Sequence, residues 1–168
     1  MKKTSELGLS LFEMLVSLSI LAILATVAVP TASDWLERTR HEVVSNTLLR
    51  HLHAARAWSV ERGHAVVVCP IGDEGCGEDW AQGWQVRDVD ADEVLLRHQN
   101  SAPDLAIKWN RATVITYRYN GTSAGFNGTL SLCNTQGREV YRIVINNHGR
   151  ARLAKAKGRP LCLEQATK

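Results

Sequence analysis

The chain has few of the side-chain groupings that enzymes use. Its 168 residues contain no glycine-rich phosphate loop, and no catalytic serine or carboxylate pair in a recognisable context. His51 and His53 are two positions apart on a predicted helix, so they point to different faces and cannot share a metal ion. We therefore expect no catalytic activity, no cofactor and no metal site.

Charge is almost absent from the N-terminal segment. Between Leu9 and Val29 the only charged residue is Glu13. At about 1.5 Å of helical rise per residue, this run spans a hydrocarbon core of about 30 Å, which predicts a transmembrane helix. Lys2 and Lys3 precede it and place the N-terminus in the cytoplasm by the positive-inside rule. A secretory signal peptide is the alternative, but its apolar region would be shorter, about 7 to 15 residues.

Glu13 is costly in that position. A carboxylate at the centre of a bilayer costs about 2.5 to 3.5 kcal/mol on insertion scales. The side chain is therefore expected to find a positively charged partner.

Internal repeats and low-complexity segments are also absent, and the remainder of the chain suits one modest domain. Apolar residues recur three or four apart from Val44 to Trp58, which predicts an amphipathic helix to about Arg62 with Gly63 as its cap. Pro30 lies between the two helical halves, where a kink is expected.

Beyond Gly63 the pattern changes to short β-branched or aromatic runs separated by turn residues, which favours antiparallel strands. The predicted strands are 64–70, 83–89, 93–98, 105–109, 114–119, 128–133 and 141–146. The predicted fold class is α+β: a long kinked N-terminal helix packed on small antiparallel β-sheets.

The four cysteines, Cys69, Cys76, Cys133 and Cys162, allow three disulfide connectivities. A Cys69–Cys76 bridge closes the shortest loop and loses the least chain entropy, and Cys133–Cys162 would then join the C-terminal tail to a strand. A zinc site is the alternative, but the paired C-x-x-C spacing of zinc ligands is missing.

Charge is unevenly distributed although the formal net charge is only +3. Eight acids between Asp73 and Glu93 face a single base, Arg87, whereas eight bases from Gly137 onward face two acids. Such asymmetry can mark a surface for polyanions, and a solvated loop and tail would explain it equally well.

The N-terminal residues resemble a type IV prepilin. The resemblance rests on a short basic leader that ends in Gly8, the apolar Leu9, Glu13 as the fifth residue beyond Gly8, and Pro30 further along. It implies that a prepilin peptidase cleaves after Gly8 and methylates the new N-terminus at Leu9, which replaces the commoner phenylalanine. It also implies that Glu13 pairs with the N-terminal amine of a neighbouring subunit. The chain would then divide into a leader (1–8), a transmembrane helix (9–30), an amphipathic helix (31–62) and a β-rich periplasmic domain (63–168).

The soluble part is similar to the GspH/FimT family of minor pilins and pseudopilins. The segments that carry this similarity are 66–70, Cys76, 80–86, 125–130 and 132–133. Within the family, Gly149, Arg150, Ala151 and Arg152 are similar to the GRxR motif of the FimT branch. That similarity implies DNA binding through the motif and its basic surroundings during natural transformation.

The chemistry of the motif agrees with this hypothesis. Arginine binds phosphate bidentately and stays charged at any relevant pH. In an extended segment Arg150 and Arg152 point to the same face, and Gly149 allows a close approach of the backbone. Three further cations follow in the tail: Lys155, Lys157 and Arg159. The alternative for these residues is a solvated strand end.

Two functional hypotheses follow. The first is a DNA-binding minor pilin that supports DNA uptake and pilus assembly. The second is a purely structural minor pilin or the H-type pseudopilin of a type II secretion system. Both imply an inner-membrane protein with a periplasmic domain that is assembled into a pilus or pseudopilus, where the tip and the cell surface are one position for it. The expected partners are other major and minor pilins, the prepilin peptidase and the pilus assembly platform, with DNA added in the first hypothesis.

Overall fold

The computed structural model describes residues 10–73, 75–111 and 114–154, together with residues 156 and 162. By its internal contacts the chain divides into two units, Met1–Thr39 and Arg40–Lys168. One long helix, α1 (Leu11–Arg62), supplies the described part of the first unit and the first element of the second.

The first unit is helical from Leu11 and carries exposed apolar side chains along its length. Within the described residues, α1 is the one helix that is long and apolar enough to cross a membrane by length and composition. Glu13 lies in its first turn between the exposed side chains of Phe12 and Met14. The helix is continuous through Pro30. The kink expected there stays a prediction.

In the second unit α1 is amphipathic. Val44, Leu48, Leu52 and Ala55 are buried, and their spacing of three or four residues places them on one face. The helix ends at Arg62, where Gly63 adopts a φ of +68°, a left-handed conformation that glycine accepts without strain.

Two antiparallel sheets of four strands pack with this part of the helix. The strands are β1 (Val66–Pro70), β2 (Gly83–Asp88), β3 (Glu93–Gln99), β4 (Ala106–Trp109), β5 (Ile115–Tyr117), β6 (Gly128–Cys133), β7 (Glu139–Ile145) and β8 (Ala151–Ala154). The first sheet has the order β3-β2-β1-β5 and the second the order β4-β6-β7-β8. This arrangement confirms the predicted α+β class.

The core lies between the helix and the inner faces of both sheets. Trp84 and Tyr117 are its largest fully buried side chains, and Trp80 is only 7% exposed. Both tryptophans therefore serve the packing of the core.

The strand limits differ from the predicted ones at β1, which begins at Val66 and not at residue 64, at β5, which ends at Tyr117 and not at residue 119, and at the end of the chain. β7 begins at Glu139, because a bulge between Leu132 and Cys133 lets Glu139 pair with Cys133. It ends at Ile145, because Asn146 opens a turn. β8 was not among the predicted strands.

The structure joins Cys69 to Cys76 and Cys133 to Cys162, with Cα atoms 5.5 and 6.4 Å apart. The first bridge closes a short loop after β1. The second joins the C-terminal tail to the end of β6. From the sequence separation of 29 residues, the loop-entropy relation gives the second bridge about 3 to 4 kcal/mol of stabilisation.

Candidate nucleic-acid interface

The GRxR motif lies where β7 turns into β8. Asn146 opens this turn and makes three hydrogen bonds across it: its carbonyl accepts from Gly149 N (2.9 Å), its side-chain oxygen from Arg150 N (2.9 Å), and its N–H donates to the Arg150 carbonyl (3.2 Å). Asn147 and His148, between them, are exposed. The asparagine therefore fixes the backbone immediately before the first arginine.

Gly149 is required by two features of the structure. Its φ is +74°, and a Cβ at this position would collide with the backbone carbonyl of Gly121. That carbonyl also accepts a hydrogen bond from Arg56 Nε on α1 (3.0 Å). Glycine at position 149 therefore allows its turn to pack closely on the turn at Gly121, which is itself hydrogen-bonded to α1.

The two arginines stand on one side of the strand. Ala151 is 3% exposed and faces the core, whereas Arg150 and Arg152 on either side of it are exposed. The register agrees with this, because Ala151 pairs with the buried Ile145 and Arg152 with the half-buried Val144, although Leu153 further along β8 is 37% exposed. Among the residues that the structure describes, neither arginine side chain has an ion-pair partner.

Arg142, on the neighbouring strand and the same sheet face, has a different role. Its guanidinium donates to both oxygens of Glu139 (2.9 Å each), and Ser131 Oγ donates to Glu139 as well (2.7 Å). The Arg142 side chain is only 12% exposed and that of Glu139 is fully buried. Arg142 therefore neutralises a buried acid and is not available to a ligand.

Lys108 is a further cation on this face, and it was not among the predicted site residues. The register pairs Lys108 with Ser131, Ser131 with Arg142, and Val144 with Arg152. Since directly paired residues share a face, the half-buried Lys108 lies on the same side of the sheet as Arg152. Strand alternation within Ala106–Trp109 predicts that Lys108 and Ile107 point to opposite faces. It does not predict that this strand pairs with β6.

The C-terminal part of the acidic stretch, from Asp88 to Glu93, is engaged in contacts within the protein. Asp88 is fully buried and accepts hydrogen bonds from Asp90 N and Ala91 N (3.1 Å each), from His64 Nδ1 (3.0 Å) and from Arg62 (3.4 Å). Burial alone raises the pKa of the Asp88 carboxyl, but the bonds from Ala91, His64 and Arg62 outweigh it and lower the pKa below its ordinary value of 3.8.

His64, Asp88 and Asp90 offer ligand atoms within 4.8 Å of one another. Both Asp88 oxygens already accept hydrogen bonds, and Asp90 Oδ2 accepts one from Ala65 N (3.1 Å). The arrangement is that of a satisfied structural cluster.

His51 and His53 lie apart, as their spacing indicates. His51 is half-buried and its Nδ1 accepts the indole N–H of Trp84 (2.9 Å), whereas His53 is exposed. Desolvation, followed by repulsion from His98 and Arg50, lowers the pKa of His51. Its neutral form keeps the bond to Trp84.

Several predicted site residues lie outside the described part of the chain: Gly8, Leu9, Lys155, Lys157 and Arg159. Their roles stay predictions.

Comparison with known proteins identifies the family. The profile described as "Type II transport protein GspH" matches residues 44–149, most of the second unit, and ends immediately before Arg150. No curated protein matches the chain in sequence.

Two crystal structures of the type IV minor pilin FimU from Pseudomonas aeruginosa PAO1 share the fold. One has a TM-score of 0.58 at 22% identity and covers 71% of this chain and 92% of FimU. The other has a TM-score of 0.54 at 21% identity and covers 67% and 91%. The long helix on two small antiparallel sheets is thus the pilin fold, and with the profile match it shows that the chain belongs to the GspH family of minor pilins and pseudopilins.

Proposed function

We propose that this chain is a minor type IV pilin that binds DNA without sequence preference and supports DNA uptake in natural transformation as well as pilus assembly. One observation carries the proposal: Arg150 and Arg152 stand exposed on one face with no described ion-pair partner. Exposed cations are usually only solvated. On the neighbouring strand, however, Arg142 is paired with Glu139, so the arginine that stabilises this sheet is a different one.

The chemistry of this face suits a phosphate backbone. A guanidinium presents a rigid fork of donors that matches phosphate. The β7–β8 pairing fixes the backbone of Arg152, and the hydrogen bonds to Asn146 fix that of Arg150. Lys108 adds a charge on the same face, and Lys155, Lys157 and Arg159 extend the proposed interface along the tail. Contacts of this kind read no bases, which uptake of arbitrary DNA requires.

The N-terminal unit would anchor and assemble the protein. We propose that prepilin peptidase cleaves after Gly8 and methylates Leu9 at the inner membrane, and that the assembly platform then adds the subunit to a filament. Glu13 would pair with the N-terminal amine of a neighbouring pilin, which makes its charge tolerable in an apolar bundle. The second unit would then lie in the periplasm, or at the cell surface if the subunit reaches the pilus tip.

A structural role without DNA is the second candidate. It is favoured by the name of the matched family, a type II transport protein, and by the end of the match at Gly149. In that case the chain would be an assembly subunit of a pilus, or the H-type pseudopilin of a secretion system, and the arginine pair would be dispensable.

A DNA titration separates the two candidates. The oxidised full chain in detergent micelles is titrated with random-sequence duplex at several salt concentrations. If about three to five phosphates are neutralised, log K falls with log salt at a slope of about −3 to −4.5. In the Arg150→Gln/Arg152→Gln variant we expect a weaker affinity and a slope smaller in magnitude by about 2, since each lost phosphate contact contributes about 0.9.

The matched control is Arg40→Gln/Arg97→Gln. It removes the same formal charge from two exposed arginines outside the basic segment, one on α1 and one on β3. Retained binding in this control supports a local site at β8. Equal losses in both variants, or no binding by the parent, would refute the proposal and leave the structural role.

A further inference from the structure

Tyr119 is an aromatic side chain that the core does not use. It is 65% exposed, whereas Tyr117, two residues earlier on β5, is fully buried. An aromatic ring exposed to this extent forgoes much of its hydrophobic contribution, and aromatic residues are enriched where proteins bind other molecules.

The turn that carries Tyr119 is fixed by hydrogen bonds. Gly121 N donates to the Arg118 carbonyl (2.7 Å) and Arg118 N to the Thr122 carbonyl (2.8 Å). Asn120 Oδ1 accepts from both the N–H (3.1 Å) and the hydroxyl (2.7 Å) of Thr122. The ring is therefore presented from a defined backbone, which reduces the entropy lost when a ligand stacks on it.

This turn packs against the arginine turn. Gly121 touches Gly149, and Ser123 N donates to the Asn147 carbonyl (3.0 Å). Because successive Cα atoms are 3.8 Å apart, these contacts keep the Cα atoms of Tyr119 and Arg150 within about 18 Å. One strand of unpaired DNA can span a separation of this size, because single-strand-binding folds cover about 4–16 nucleotides.

From this juxtaposition we infer that Tyr119 is a stacking platform, and that the site at Arg150 and Arg152 prefers single-stranded over duplex DNA. The inference rests on the proposed function, since the arginines supply the phosphate contacts. The bases of a duplex are stacked on one another, so only an unpaired strand offers a base face to the ring. Stacking is tolerant of sequence because every base has a π-face.

The test compares three probes on the oxidised full chain in detergent micelles: an oligothymidylate, an abasic strand with the same number of phosphates, and a random-sequence duplex. Each strand is about 20 nucleotides long, which exceeds the ~4–16 nucleotides that single-strand-binding folds cover. We expect the oligothymidylate to bind about tenfold more tightly than the abasic strand, a stacking contribution of ordinary size.

Tyr119→Leu should reduce oligothymidylate binding to the abasic level and leave the duplex and abasic affinities unchanged. Tyr119→Phe keeps the ring and should retain the preference, which also controls for folding. Unchanged oligothymidylate binding in Tyr119→Leu, or an equal loss on all three probes, would overturn the stacking role.

The two proposals fail differently. If the parent binds duplex and abasic strands but shows no preference for unpaired bases, only the stacking inference is lost. If the parent binds none of the probes, both proposals are lost.

Discussion

Two hairpins of the second unit use charge in opposite ways. In the β2–β3 hairpin, Arg87 pairs with Asp92 (2.7 Å), and Arg62 contacts both Asp88 (3.4 Å) and Glu93 (2.7 Å). In the β7–β8 hairpin, Arg150 and Arg152 have no ion-pair partner among the described residues. The acids of the β2–β3 hairpin are thus partnered within the fold, whereas Arg150 and Arg152 face outward. The local density of charged residues does not distinguish the two hairpins. The presence or absence of ion-pair partners does.

The largest loss of stability is expected when Arg142, the paired arginine of the second sheet, is replaced. Arg142→Gln removes two charge-assisted hydrogen bonds from the buried Glu139 carboxylate. We expect the free energy of unfolding to fall by about 3 kcal/mol, measured by chemical denaturation in micelles. A change below about 0.5 kcal/mol would mean that the paired and unpaired arginines of this sheet do not differ in role.

Gly149→Ala comes next and tests whether the motif glycine is structural. The new Cβ meets the Gly121 carbonyl in a left-handed backbone conformation, so we expect a loss of about 2 to 3 kcal/mol. Gly63→Ala is the matched control, because Gly63 has a similar φ of +68° with no atom within 4 Å of the added Cβ. The control should lose only about 1 kcal/mol. Equal losses at both sites would contradict a steric role for the contact with Gly121.

Asp88→Asn tests the paired hairpin through its pH dependence. The pKa of Asp88 is lower in the folded than in the unfolded chain, so its contribution is present above the ordinary value of 3.8 and is lost as the pH falls through the folded pKa. We expect a loss of about 2 kcal/mol near neutral pH. The difference between parent and variant should shrink at pH values below 3.8. A difference that is constant with pH would contradict the assignment.

The smallest effect is expected at the unpaired arginines. Arg150→Gln/Arg152→Gln should change the free energy of unfolding by less than about 0.5 kcal/mol, because no described contact is lost. Denaturation beside the DNA titration measures this directly. A large destabilisation would show that the two arginines stabilise the fold. Loss of DNA binding in this variant would then be explained by unfolding.

The sequence predicted those parts of the molecule that depend on local periodicity. The buried stripe Val44, Leu48, Leu52 and Ala55 is visible as a helical spacing, and the turn residues separate the strands. The exposed pair Arg150 and Arg152 follows from strand alternation once the segment is extended.

What the sequence could not supply depends on contacts between distant residues. The bond of Arg142 to Glu139 requires the bulge opposite Leu132 and Cys133, which shifts the register. Lys108 joins the arginine face only through pairing with β6. Tyr119 resembles Tyr117 in the sequence, and only the turn that follows β5 separates the exposed ring from the buried one.

The contact of Gly149 with Gly121, and of Gly121 with Arg56, also has a mechanical consequence. A force applied at Arg150 would be shared with the neighbouring turn through the bond from Ser123 N to the Asn147 carbonyl, and with α1 through the bond from Arg56 to the Gly121 carbonyl. The turn before the arginines is therefore tied to the helix by hydrogen bonds as well as through the strand ladder of the sheet. The end of the domain that carries the arginines is braced against its longest element.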